Sequence, residues 1–213
     1  MAVKSSFSNM VLALGCICLV CSALLGLVNN MTAEPIAAAN LAKTSSAIAA
    51  VVPAFDNVPG DDIQTVVSDG REYKVYVAKS DGKVVGYAIE VLPTGFGGTI
   101  EMLVGFDAST GHIYNTSVIS HSETPGLGAH IADSGEDSFR SQFAGMNPAT
   151  TTMTVSKDGG DIDAITASTI TSRAYTSGVA TACKVYKALR GEDDADVVTG
   201  ATKKVEEEAD DEQ

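Results

Sequence analysis

The sequence predicts an α+β domain, a mostly antiparallel sheet packed with helices, preceded by one N-terminal transmembrane helix. Three features predict it. An uncharged run of nineteen residues, Met10 to Val28, lies near the start of the chain. Period-two alternation of apolar residues follows between Tyr73 and Ile119, and a helical apolar stripe covers Thr171 to Arg190. With 213 residues, 45% of them hydrophobic, there is room for one such domain and its appendages.

The apolar run comes first. A helix of nineteen residues spans roughly 28 Å, close to the ~30 Å hydrocarbon core of a bilayer. No charged side chain occurs between Lys4 and Glu34. A cleaved signal peptide has a shorter apolar region, and a lipid-modified Cys16 would leave twelve apolar-run residues beyond it. A retained single span fits better. Lys4 and the amino terminus place residues 1–9 in the cytoplasm. The span is then 10–28, a stalk 29–50, and the domain 51–190. Residues 191–213 carry ten acidic side chains against Lys203 and Lys204 and read as an acidic disordered tail.

Within the domain, Pro53 and Phe55-Asp-Asn-Val-Pro-Gly60 break the stalk. Tyr73, Val75 and Val77 alternate in one strand, and Val85, Tyr87, Ile89 and Val91 in the next. Ser80-Asp81-Gly82 between them is a hairpin turn, because glycine accepts positive φ. A third strand covers Thr99 to Phe106 and a fourth His112 to Ile119, joined by Asp107-Ala-Ser-Thr-Gly111. Short turns imply antiparallel neighbours. A short helix is expected over Asp137 to Phe143 and another strand within Met146 to Lys157. The last helix, Thr171 to Arg190, puts Gly178, Ala182, Val185 and Leu189 on one face.

Composition excludes several functions. The net charge is −13 without a basic patch, which disfavours nucleic-acid binding. Cys16, Cys18 and Cys21 lie in the span and Cys183 is alone in the domain, so no iron–sulfur or zinc spacing exists. His121, Glu123 and His130 are close in sequence but match no familiar ligand motif. There is no G-x-S-x-G nucleophile turn.

Two segments carry chemistry. Asp163-Ala-Ile-Thr166-Ala-Ser168-Thr169-Ile-Thr-Ser-Arg173 crowds hydroxyls at the mouth of a helix, where free N–H groups and the helix dipole seat a phosphate. Thr166, Ser168, Thr171 and Ser172 offer donors there and Arg173 a countercharge. An ordinary capped helix would use the same residue types. The second segment, Glu123-Thr124-Pro-Gly-Leu127-Gly128, is a fixed turn whose backbone can approach a planar ring.

Together, in this order and about 40 residues apart, the two segments resemble the covalently flavinylated FMN-binding domains of the Rnf and Nqr respiratory complexes. The G subunits of Rnf are the nearer likeness and the C subunits of Nqr the second. The family pattern, Asp-x-x-(Ser/Thr)-Gly-Ala-(Ser/Thr), is met at Asp163, Thr166 and Thr169 and broken at Ala167-Ser168. Ala167 resists the positive φ open to glycine, so a differently shaped loop is expected. The resemblance implies FMN bound covalently as a phosphoester of Thr169, with Glu123, Thr124, Leu127 and Gly128 beside the flavin ring. It also implies a flavin transferase acting in maturation and other membrane subunits of an Rnf-type complex as partners. The implied location is the bacterial inner membrane, single-pass, with the domain on the extracytoplasmic side. No catalytic residue and no metal is implied. The implied function is electron transfer in an ion-translocating complex linking ferredoxin and NAD; the sodium-pumping NADH:quinone reductase is the alternative within redox chemistry. A flavin-free, membrane-anchored assembly module is the alternative outside it.

Overall fold

A computed structural model describes residues 7–191 of the chain, so the acidic end expected to be a tail lies outside the described residues. The chain divides into two units, Met1–Lys43 and Thr44–Gln213. One helix, α1 (Phe7–Val51), begins in the first and ends in the second. Its apolar part is long and apolar enough to cross a membrane. Pro35 falls inside it.

In the second unit five strands form one sheet in the order of the sequence. They are β1 (Ile63–Ser68), β2 (Arg71–Ser80), β3 (Lys83–Val91), β4 (Glu101–Asp107) and β5 (Ile113–Ser120). Every neighbouring pair is antiparallel. Two-residue turns set the first two hairpins. Asp69 and Gly70 have φ of 50° and 71°, and Asp81 and Gly82 have φ of 50° and 74°, the left-handed pairs whose twist matches the strands. The strand that sequence alternation does not reveal is β1. Asp69-Gly70 signals its turn, but the run IQTVVS alternates too weakly to stand out.

The inner face of the sheet carries the main core. Val75, Ile89, Met102, Val104 and Phe106 face the helix α2 (Thr169–Leu189), which returns Tyr175, Val179, Ala182, Val185 and Tyr186. Phe106 and Tyr186 stack with ring centroids 4.4 Å apart and planes 5° from parallel. The helix begins two residues earlier than the stripe indicates and buries a wider face, because Tyr175 and Tyr186 also turn inward. Tyr175 is fully buried and its hydroxyl donates to Thr116 Oγ1 at 2.7 Å.

The short helix expected over Asp137 to Phe143 is a 3₁₀ helix, Phe139–Phe143, whose two phenyl rings pack on Tyr175. One local expectation is corrected. Met146 to Lys157 contains no strand; an isolated bridge of Val155 to Ile162 and a 3₁₀ turn at Ser156–Asp158 occupy it. The start of β5 pairs with the segment ahead of the threonine run, where Ile113 and the Gly145-Met146 backbone exchange hydrogen bonds. The threonine run at 150–152 joins no ladder, whatever its propensity.

The outer face of the sheet carries a second, smaller core. Ala47, Ile48 and Val51 of the last turns of α1 lie on Tyr76, Ala78, Ala88 and Leu103. Asn115 Nδ2 donates to the Ala50 carbonyl at 3.1 Å, satisfying one of the orphan acceptors at the helix end. The helix comes this close because Gly105 has no side chain. A Cβ there would fall inside the van der Waals shell of the Val51 carbonyl oxygen. Gly105→Ala is therefore expected to destabilise the domain by about 2 kcal/mol through overpacking, read as a lowered denaturation midpoint.

Candidate functional site

The loop between β3 and β4 folds back on itself. Gly95 N–H donates to the Gly98 carbonyl at 2.7 Å and Ile100 N–H to the Pro93 carbonyl at 2.9 Å. Its tip presents Phe96, which is 70% exposed. Below the tip lies the Glu123 side chain, buried, accepting from Gly97 N–H at 2.9 Å through Oε1. The other carboxylate oxygen accepts from the Thr171 hydroxyl in the first turn of α2. One carboxylate thus joins the β3–β4 loop, the loop after β5 and the final helix. Gly95 and Gly128 line this contact, and a Cβ at either would collide with the Glu123 carboxylate. The glycines are there for the glutamate.

This clasp brings the two sequence segments together. A cavity of about 370 Å³ lies between them, bounded by Phe96, Glu123, Thr124, Leu127, Gly128 and residues 167–171. Of the residues expected at the site, Glu123, Thr124, Leu127, Gly128, Ser168 and Thr169 line it. Asp163 and Thr166 do not; both are exposed, and Asp163 is held through its backbone by the Gln142 amide. A larger groove of about 550 Å³ lies between α2 and the start of β2. Arg71, Glu72, Lys74 and Glu90 line it with mixed charge, and it contains neither segment.

The turn ahead of α2 departs from the expected shape. Ala167 has φ of 62°, in the left-handed region, at the position where the family pattern has glycine. The alanine bears the strain of that conformation, on the order of 1–2 kcal/mol. Ser168 is at the helix N-cap by position, yet its side chain makes no cap hydrogen bond. Its Oγ is buried and has no hydrogen-bond partner among the described residues. The helix start is left uncapped beside the cavity, with the partial positive charge of its N-terminus available.

The hydroxyls now separate. Thr171 is buried and donates to Glu123; Ser172 is buried and donates to the Ser168 carbonyl at 3.0 Å. Thr169 is half-exposed at the first position of α2, on the cavity wall. Its Oγ1 receives a hydrogen bond from Lys157 Nζ at 3.2 Å. Arg173, expected to supply the countercharge, instead makes two 2.7 Å bonds to the Asp158 carboxylate. That guanidinium holds the Asp158 carboxyl below its usual range. The pairing therefore persists at neutral pH and is lost only as the pH falls through the lowered value.

The histidines are engaged separately. His121 Nδ1 accepts the Glu123 N–H at 3.2 Å, while His130 pairs with Asp133 at 2.7 Å. Burial pushes the Cys183 thiol up to about 12, which leaves it inert at neutral pH.

An anionic, partly planar group fits these residues. Phe96, Leu127 and Ile170 expose apolar surface around the cavity, an uncapped helix start bearing an orphan hydroxyl lies on its wall, and an ammonium bonds to the Thr169 hydroxyl. FMN combines a flat apolar ring with a phosphate and meets both halves.

Two substitutions test this geometry. Glu123→Ala strips the acceptor from Gly97 N–H and the buried Thr171 hydroxyl, and is expected to cost about 3 kcal/mol in chemical denaturation. Ala167→Gly removes the left-handed strain at the price of a freer unfolded chain, and should raise the melting temperature, by up to about 1 kcal/mol in stability.

Comparison with known proteins gives the family. Residues 95–184 match the FMN-binding domain family. The G subunit of the Na(+)-translocating ferredoxin:NAD(+) oxidoreductase complex of Acetobacterium woodii is 37% identical over 195 residues, covering 85% of this chain and 94% of that one. The G subunit of an ion-translocating oxidoreductase complex of Cereibacter sphaeroides is 35% identical over 187 residues, covering 85% and 84%. The G subunit of the proton-translocating ferredoxin:NAD(+) oxidoreductase complex of Clostridium ljungdahlii is 35% identical over 144 residues, covering 63% and 75%. With most of the chain covered and an FMN-binding domain in common, the chain belongs to the family of G subunits of Rnf-type ion-translocating oxidoreductase complexes.

Proposed function

We propose that the protein is a membrane-anchored electron carrier whose FMN is attached through a phosphoester to Thr169. Within an Rnf-type complex it passes electrons between other membrane subunits along a route linking ferredoxin and NAD. Bound FMN supplies reversible one- and two-electron chemistry; the protein holds it, shields it and sets its surroundings.

The observation that carries this reading is the accessibility of the hydroxyls. Of the candidate hydroxyls at 166, 168, 169, 171 and 172, those of Thr166 and Thr169 belong to residues that are not buried, and of these two only Thr169 lines the cavity. It stands on the cavity wall where the helix dipole and Lys157 favour a phosphate. A phosphodiester keeps one negative charge, which both would stabilise. The flavin ring then lies against Leu127 and the Glu123–Gly128 loop. A flavin transferase supplies the group during maturation. The left-handed φ of Ala167 removes the reason to expect a loop that rejects flavin.

The apolar part of α1 serves as the single membrane span, with the domain on the extracytoplasmic side and residues 1–9 in the cytoplasm. The tether keeps the domain concentrated near its partner subunits. Relatives are named for sodium and for proton translocation alike.

Co-produced with a flavin transferase, the wild-type chain should appear as a fluorescent band after denaturing electrophoresis. Thr169→Val should abolish that fluorescence without lowering the melting temperature. A labelled Thr169→Val band would move the attachment elsewhere, and a dark wild-type band would favour the flavin-free module.

A further inference from the structure

The short turn Ser156–Asp158 ends eleven residues ahead of Thr169 and belongs to neither motif. It is built tightly. The Val155–Ile162 bridge closes its base, and Gly159, at φ of 85°, ends it. Gly160 lies so close to the Thr154 backbone that any side chain would collide with it. Asp158 then fastens the turn to α2 through the two bonds to Arg173. Arg173 is one helical turn beyond Thr169, so this latch fixes the turn alongside the first turn of α2. Lys157, next to the latch, reaches Thr169 Oγ1 at 3.2 Å.

We infer that Lys157 is the positioning cation of the attachment site, held by the Asp158–Arg173 latch to orient the Thr169 hydroxyl and neutralise the phosphoryl group that it receives. The inference rests on Thr169 being the acceptor. In the transfer, Thr169 Oγ1 forms a bond to the FMN phosphorus of flavin adenine dinucleotide, and the pyrophosphate bond breaks. AMP leaves with the bonding pair, and the hydroxyl proton passes to the transferase. The ammonium stands beside the oxygen that becomes a phosphoester, within reach of the anionic oxygens one bond further on. A charge-assisted contact there is stronger than a neutral one. Arg173 cannot take over the role while Asp158 occupies its guanidinium. The chain thus uses one cation to hold the loop and another to meet the phosphate.

The test uses the full-length protein co-produced with a flavin transferase. Covalent FMN on the Thr169 peptide is followed against time by mass spectrometry, for wild type, Lys157→Met and Lys157→Arg. Lys157→Met is expected to slow incorporation about tenfold, the scale of one charge-assisted hydrogen bond, while the melting temperature stays at the wild-type value. Lys157→Arg should restore most of the rate. Raising the ionic strength should slow the wild type more than Lys157→Met, because only the former relies on that charge. In flavin-loaded material, the phosphorus NMR resonance of the diester should shift between wild type and Lys157→Met. Incorporation by Lys157→Met at the wild-type rate would overturn the inference, as would a slowed Lys157→Arg indistinguishable from Lys157→Met. A wild-type Thr169 peptide without FMN would instead sink the attachment reading itself, and with it this role; the wild-type arm tells the two failures apart.

Discussion

The buried carboxylate of Glu123 is the contact on which the site depends. A charged or polar carboxyl group withdrawn from water is costly unless its oxygens are matched by donors. Here Gly97 N–H serves one oxygen and the Thr171 hydroxyl the other. The donors come from a loop between central strands and from the first turn of α2, so satisfying one side chain fixes three segments at once. The cost of leaving any of them unmatched makes the arrangement hard to loosen. Glycines at 95 and 128 make room for it, and the cavity beside Thr169 exists because these segments are held together around it.

The sheet divides its labour between its faces. The inner face positions α2 through a stack of aromatic and branched side chains, and α2 in turn carries Thr169 and Thr171 at its start. The outer face receives the end of α1 in the space left by Gly105, with Asn115 answering a carbonyl at the helix end. The helix that bears the candidate site and the last turns of α1 therefore use opposite surfaces of the same five strands. Neither competes with the other for apolar contact.

Around Thr169 the chain departs from the family pattern at Ala167 and Ser168. Ala167 takes a conformation that glycine adopts freely. Ser168 adds a hydroxyl where the pattern has alanine, and that hydroxyl finds no partner among the described residues. Charge is divided between two neighbouring cations. Arg173 is engaged in holding the turn at 156–158, and Lys157 is the cation that meets the threonine oxygen.

What the sequence alone determined was everything written in short-range chemistry. Alternation marked four of the five strands, Asp-Gly pairs fix the first two hairpins, an apolar stripe marked α2, and an uncharged run marked the apolar part of α1. The motif order marked Glu123, Thr124, Leu127, Gly128, Ser168 and Thr169, which the structure gathers around one cavity. Tertiary structure decided the rest. β1 was hidden because its alternation is weak and only its place at the sheet edge makes it a strand. The threonines at 150–152 have strand propensity but join no strand of the sheet. Lys157, and not Arg173, bonds to the Thr169 oxygen because Asp158, outside the threonine's own motif, engages the Arg173 guanidinium. Ala167 took a positive φ for the same reason: local preference disfavours it by about 1–2 kcal/mol, on the order of what a packed helix and a buried carboxylate can impose.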